Sequence, residues 1–151
     1  DLVVHARSTT KYHTANQNWP LEKWNELGEI LFQENLKIAS IGITEHAIHI
    51  PHSDNLMNIP LEKTANVLAS SKCILGTSSG PMHFASLCGC PQILISEYVE
   101  SGGKDNERRY KHDWNPFKTD VNLVKYENSP QDNGWNPPVS KVKAALDDLL
   151  F

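Results

Sequence analysis

The sequence predicts a Rossmann-like, three-layer α/β/α domain with a mostly parallel sheet. Three observations carry the prediction. Short apolar runs alternate along the chain with amphipathic helical patterns, which is the order of a βαβ fold. The strand-like runs are not clearly two-faced, as expected where helices cover both sides of a parallel sheet. At 151 residues the chain is one domain in length and long enough to bury roughly two-thirds of its unfolded surface.

The elements follow in order. "LVVHA" (2–6) is apolar and β-branched and opens the sheet. "RSTTKYHTANQN" (7–18) is polar and aperiodic, a long loop. Pro20 stands where a helix begins, followed by Leu21, Trp24, Leu27, Ile30 and Leu31 at helical spacing with Glu22 in the first turn. "KIASIGI" (37–43) is the second strand, with short strands at "AIHI" (47–50) and "NLMNI" (55–59). Pro60 opens a helix with Leu61, Ala65, Val67 and Leu68 facing inward, and "KCILG" (72–76) is a buried strand. A helix after Pro81, a strand "QILI" (92–95) and a last strand "DVNLVKY" (120–126) follow. Pro137 and Pro138 introduce a terminal helix with Val139, Val142, Ala145, Leu146 and Leu149 on one side. In such sheets ligands sit beyond the carboxyl ends of the strands, so functional residues belong to the loops 7–19, 43–60, 76–80 and 96–119. The charged, turn-rich segment 100–119 is expected to be the mobile element, and Arg108 and Arg109 within it are read as part of a solvated loop.

Composition excludes several classes of partner. The net charge is −4 with no strongly basic stretch, so nothing supplies a surface for nucleic acid. No apolar run approaches the ~18 residues of a membrane span, and no secretory signal is present. The three cysteines, Cys73, Cys88 and Cys90, suggest neither a disulfide framework nor a zinc site and fit a reducing cytoplasm. No cofactor is implied. His46, His49 and His52 invite a metal reading, but residues three apart in a strand point to opposite faces and Pro51 breaks any helix that would align them. The absence of an initiator Met suggests a piece of a longer chain.

The stretch "GTSSGPMHFASLCGCP" (76–91) is the most informative. Pro81 suits the first helical position, so Ser79 or Gly80 is the cap. Unpaired N–H groups and the positive end of the helix dipole then face the carboxyl edge of the sheet, where Gly80 lets an anion approach the backbone. The competing reading is a helix start that is merely well capped. His83 in the first turn is expected to be neutral, because the dipole disfavours a cation there. The loop is neither a P-loop nor a dinucleotide fingerprint.

"NWPLEKWNEL" (18–27), "IGITE" (41–45), "NLMNIPLEKTANVLASSKCILGTSSGPMHFASLCGCP" (55–91) and the late "WNPP" together resemble the carboxy-terminal half of glycosyltransferase family 9, the lipopolysaccharide heptosyltransferase-like enzymes. The family's Asp-Ser/Thr-Gly-x-x-His motif is matched by Ser78, Ser79, Gly80, Pro81, Met82 and His83 in all but its first position. The resemblance implies a glycosyltransferase-B architecture of two Rossmann-like domains, with residues 1–151 as the second, which holds a nucleotide-diphosphate sugar. It implies diphosphate and sugar contacts for the turn 78–83, a ribose contact for Glu45 and a clasp on the base for Ile59 and Leu61. Where the family has a basic residue before its Trp-Pro, this chain has Gln17 and Asn18, and Arg7 (beside Ser8) or Lys11 in the first loop is the alternative cation. The implied partners are an ADP-heptose-like donor and an amino-terminal acceptor-binding domain that carries the general base. The implied setting is metal-independent bacterial glycan synthesis in the cytoplasm, with the inner membrane reached through that domain. The rival reading is a nucleotide- or phosphosugar-binding module without catalysis, which Ser78 in place of aspartate and Gln17 favour.

Overall fold

In a computed structural model of the chain, residues 1–9, 17–96, 106–125 and 136–151 are described. Lys11 and positions 97–105 lie outside them. Six parallel strands form the sheet in the order β4-β2-β1-β5-β6-β7. They are β1 (Leu2–Arg7), β2 (Ile38–Gly42), β4 (Asp54–Met57), β5 (Cys73–Thr77), β6 (Gln92–Ser96) and β7 (Val121–Lys125). The two-residue β3 (Ala47–Ile48) leaves this path and pairs antiparallel with the end of β1, Ala6 opposite Ile48 and Arg7 opposite Ala47. From β1 the chain runs outward through β2 to β4, then returns to the other side of β1 as β5. The carboxyl ends of β1 and β5 therefore flank the topological switch point, the usual ligand crevice of such sheets.

Strand alternation divides the interior into two layers. Leu2, Val4 and Ala6 of β1, Cys73 and Leu75 of β5, and Ile93 and Ile95 of β6 pack with Trp24, Leu27 and Leu31 of α1 (Leu21–Gln33) and Val139, Val142 and Leu146 of α5 (Val139–Leu150). Val3, Ile41, Ile74 and Leu94 face the other way, against Leu68 of α2 (Leu61–Ala69), Met82 and Ala85 of α3 (Gly80–Leu87), and Tyr110. Each fully buried aliphatic side chain contributes roughly 1.5–3 kcal/mol. The chain ends of the first layer are tied together: Trp19 Nε1 donates to the Pro137 carbonyl at 2.9 Å, and the Lys23 ammonium donates to the carbonyls of Asn136 and Pro137.

Three expectations are corrected. Leu61 does not face inward but is 68% exposed, because the buried stripe of α2 centres on Leu68. In α5 the buried positions advance in steps of three and four through Val139, Val142 and Leu146, so Leu150 packs on the core and Leu149 turns outward. The charged stretch after β6 is not simply a solvated loop. Residues Asn106–Arg108 form one helical turn, α4, that widens into a π-helical turn over Arg109–Asp113, and Tyr110 there is fully buried.

Candidate functional site

A cavity of about 760 Å³ opens at the switch point. Its walls come from the carboxyl end of β1 (His5, Arg7, Thr9), the end of β2 and the following turn (Ile41, Gly42, Ile43, His46), the entry to α2 (Ile59, Leu61, Thr64), and the β5–α3 turn (Ser78, Ser79, Gly80, Pro81) with Phe84. Among these residues there is one permanent cation, Arg7, and no carboxylate.

Arg7 is only 8% exposed. Its Nη1 donates to Asn18 Oδ1 at 2.7 Å, and Asn18 Nδ2 donates to the Thr9 carbonyl at 2.9 Å. Asn18 thus orients a cation supplied by β1. Burial draws the Arg7 pKa below the ordinary guanidinium value, but the group remains a cation at neutral pH.

His5 lies beside it, with Nδ1 3.1 Å from Ser79 Oγ. Burial, reinforced by the Arg7 charge, lowers its pKa to about 4, so the ring is neutral. Gly42 makes room for that ring. Its φ of +124° is one that side-chain-bearing residues rarely adopt, and a Cβ there would stand 2.8 Å from Ala47 Cβ and 3.0 Å from His5 Cδ2.

At the α3 start Ser79 is the N-cap residue, but its side chain makes no capping hydrogen bond. The N–H groups of Gly80 and Met82 have no partner among the described residues, and Pro81 has no N–H to offer. The Gly80 amide, on an exposed residue that lines the cavity, is a free donor of the helix N-terminus, whereas Met82 is wholly buried. Among the described residues nothing lies within 4 Å of a Cβ built on Gly80. The protein itself therefore does not require glycine there, and a side chain would project into free space.

The structure brings some of the sequence-predicted residues together and leaves others apart. Arg7, Ile59, Leu61, Ser78, Ser79, Gly80 and Pro81 share the cavity wall. Leu61 and Ile43, 68% and 50% exposed, give it an apolar rim. Met82 is fully buried in the core. His83 leaves the cavity side and stacks on Tyr110 at 4.4 Å, with the Trp114 ring edge-on at 4.3 Å. Its pKa falls to about 4 through burial and then the Arg109 charge. Glu45 is exposed on the turn after β2, where its neighbours Ile43 and His46 line the cavity. Ser8 and Gln17 are half-buried and do not line it. The Ser8 N–H donates to the His46 carbonyl at 2.8 Å.

Cysteines and histidines elsewhere have local roles. Cys73 and Cys90 are buried free thiols whose pKa burial pushes up to about 12. His49 bonds the Ser53 carbonyl, and His52 bonds Glu29 and stacks on Phe32. Among the described residues no group of three His, Cys, Asp or Glu side chains is placed to hold a metal ion, and no helix is long and apolar enough to cross a membrane.

A parallel α/β sheet with a helix N-terminus, a buried arginine and an apolar rim at its switch point defines a Rossmann-like domain with a crevice suited to an anionic ligand. No protein-family model and no curated protein matches the sequence. Solved structures do match in fold. The Escherichia coli heptosyltransferase WaaC, in a structure with ADP-2-deoxy-2-fluoro heptose, superposes with a TM-score of 0.64 at 19% identity over 97% of this chain and 42% of that one. A glycosyltransferase family 9 protein from Veillonella parvula gives 0.70 at 15% identity over 99% and 45%. E. coli ADP-heptose lipopolysaccharide heptosyltransferase II gives 0.71 at 15% identity over 99% and 46%. The chain spans less than half the length of each.

Proposed function

We propose that this chain is the donor-binding domain of a glycosyltransferase that uses a nucleotide-diphosphate sugar, ADP-heptose-like, in lipopolysaccharide or related glycan synthesis. The observation that carries the reading is the make-up of the cavity: a buried cation, two serines and the helix amide of Gly80 on one side, an apolar rim on the other, and no carboxylate among its lining residues. A ligand matching that surface has an anionic centre and a flat, weakly polar end, which describes a nucleoside diphosphate. The sheet is shared with WaaC, whose structures contain ADP or an ADP-heptose analogue, and this supports the same class of donor here.

In transfer, the bond between the sugar and the diphosphate breaks and negative charge grows on the leaving oxygen. Arg7 and the amide of Gly80 would stabilise that charge from fixed positions, the electrostatic role that does not require a metal ion. The acceptor hydroxyl must lose a proton to a general base, and in this proposal a second domain across the cleft provides it. The reading without catalysis, a nucleotide-binding module, draws on Ser78, which puts a hydroxyl where the resembled family has a carboxylate.

Calorimetric titration with a panel of nucleoside diphosphates tests the proposal. ADP should bind in EDTA-containing buffer with micromolar or weaker affinity, and Arg7→Gln should weaken it about tenfold or more. The absence of heat with every nucleotide, or binding that needs added Mg²⁺, would overturn it. Sugar transfer by this domain joined to an acceptor-binding partner would decide against the module reading.

A further inference from the structure

Resting on the nucleotide-diphosphate reading, the geometry points to a division of labour between two adjacent serines: Ser78, oriented by Tyr110, donates its hydroxyl hydrogen to the ligand, whereas the hydrogen of Ser79 is consumed inside the protein. Ser79 Oγ lies 3.1 Å from the Thr77 carbonyl and 3.1 Å from His5 Nδ1. If the hydroxyl donates to the carbonyl, His5 donates Nδ1–H to it. If instead it donates to His5 Nδ1, its one hydrogen is again used internally. In neither arrangement does the Ser79 hydroxyl have a hydrogen left for the cavity.

Ser78 is different because of what stands behind it. The Ser79 N–H donates to the Tyr110 hydroxyl oxygen at 3.1 Å, and that oxygen is 3.0 Å from Ser78 Oγ. Tyr110 is fully buried, and burial pushes its pKa up to about 12, so it keeps its proton. Were Ser78 to donate to Tyr110, the phenolic hydrogen would be buried with no acceptor among the described residues, an arrangement native interiors avoid. The chain therefore runs Ser79 N–H to Tyr110 O–H to Ser78 Oγ, each bond polarising the next. Ser78 lines the cavity, and its own O–H is left to point there. A donor at this position selects an acceptor on the ligand, such as a phosphoryl oxygen. An aspartate would offer only acceptors. Tyr110 acts through Ser78 and is a positioning residue.

The test is ADP titration of the 151-residue chain as wild type, Ser78→Ala, Ser79→Ala, Ser78→Asp, Tyr110→Phe and the Ser78→Ala/Tyr110→Phe double variant, with melting curves for each. Ser78→Ala should weaken ADP about tenfold, as loss of a charge-assisted hydrogen bond does, and Ser78→Asp should weaken it more. Ser79→Ala should lower the melting temperature and cost less affinity than Ser78→Ala. Tyr110→Phe should weaken ADP in the wild-type background and add no further loss to Ser78→Ala, a coupling that general loosening of the fold would not produce. Larger losses from Ser79→Ala than from Ser78→Ala, undiminished affinity in Ser78→Asp, or independent effects of Tyr110 and Ser78 would overturn the assignment. If Tyr110→Phe does not fold, the order of the position-78 and position-79 variants still decides. A wild-type chain that binds no nucleotide refutes the nucleotide reading itself, whereas wild-type binding with indifferent serines refutes this inference alone.

Discussion

Along β1, Leu2, Val4 and Ala6 face α1 and α5, while Val3, His5 and Arg7 face the side of α2 and α3. β5 repeats the division, with Cys73 and Leu75 on the first face and Ile74 and Gly76 on the second. On β1 the first face stays apolar through Ala6, on β5 it ends in the buried Thr77, and it is sealed by Trp19 and Trp24, whose rings meet edge-on at 4.8 Å. The second face is apolar only for the first half of each strand, then changes to histidine, arginine, glycine and serine where the cavity begins. One face is given to packing, and the other exchanges part of its packing for groups that line the cavity. Glycine is the means of exchange. A Cβ on Gly76 would meet Met82 Sδ at 2.9 Å and the His5 carbonyl at 3.1 Å, so the missing side chain allows α3 to sit close enough to present its N-terminus beside β1.

The largest effect that separates the faces is expected from Trp24→Ala on the sealed one. Trp24 is fully buried among Trp19, Leu27 and the strands. Its truncation should cost about 3–5 kcal/mol of unfolding free energy in a denaturant titration. The ADP affinity of the fraction still folded should match wild type. A change in affinity larger than the change in stability would show that the faces are not separable.

On the open face the converse is expected. Gly80→Val places its Cβ where no described residue outside the turn lies within 4 Å, so the melting temperature should stay within a few degrees of wild type. Affinity for ADP should fall by about a hundredfold or more, the equivalent of roughly 2.7 kcal/mol. Undiminished binding would remove the α3 N-terminus from the site.

This division explains what could be read in the sequence. The sealed face follows from periodicity, and α1, α5 and the positions of the strands along the chain were legible within a residue or two because apolar spacing reports burial directly. The turn Ser78–Pro81 was legible as a helix start, since small polar residues before a helical proline cap helices. Residues that reach the site from aperiodic segments were not. Asn18 rather than Gln17 meets Arg7, and His46 rather than Glu45 lines the cavity, because register in an irregular loop depends on tertiary pairing with β1 that no local pattern encodes. Tyr110 was hidden within "DNERRYKHDW", where surrounding charge masks one inward residue. The available signal was Tyr110 and Trp114 at a spacing of four, which places two aromatic rings on one side of a helical turn. His83 was expected to be neutral because of the α3 dipole. The structure supplies a further cause in its burial beside Tyr110 and Trp114, followed by the Arg109 charge.

The smallest effect concerns proton binding and again distinguishes the faces, since the buried neutral His5 belongs to the open one. Its pKa is about 4 when folded, against an ordinary value of 6.5. Between those values the unfolded chain binds the proton that the folded chain refuses, so stability falls as pH falls through this window and is unaffected by His5 above it. From pH 7.5 to pH 5.5 the loss attributable to His5 should be about 1 kcal/mol, following from the logarithmic growth of the unfolded-state proton occupancy. His83, shifted in the same direction, adds to the trend. Denaturant titrations of wild type and His5→Asn at the two pH values measure it: the variant should be less stable at pH 7.5 and should lose less on acidification. Equal losses in the two proteins would mean that His5 titrates in the folded chain near its ordinary 6.5, and at pH 5.5 the hydrogen count around Ser79 would then begin from an imidazolium that donates to its hydroxyl. Saturating ADP should reduce the wild-type pH dependence, because a diphosphate beside Arg7 offsets the cation that helps keep His5 neutral and raises its folded-state pKa toward 6.5.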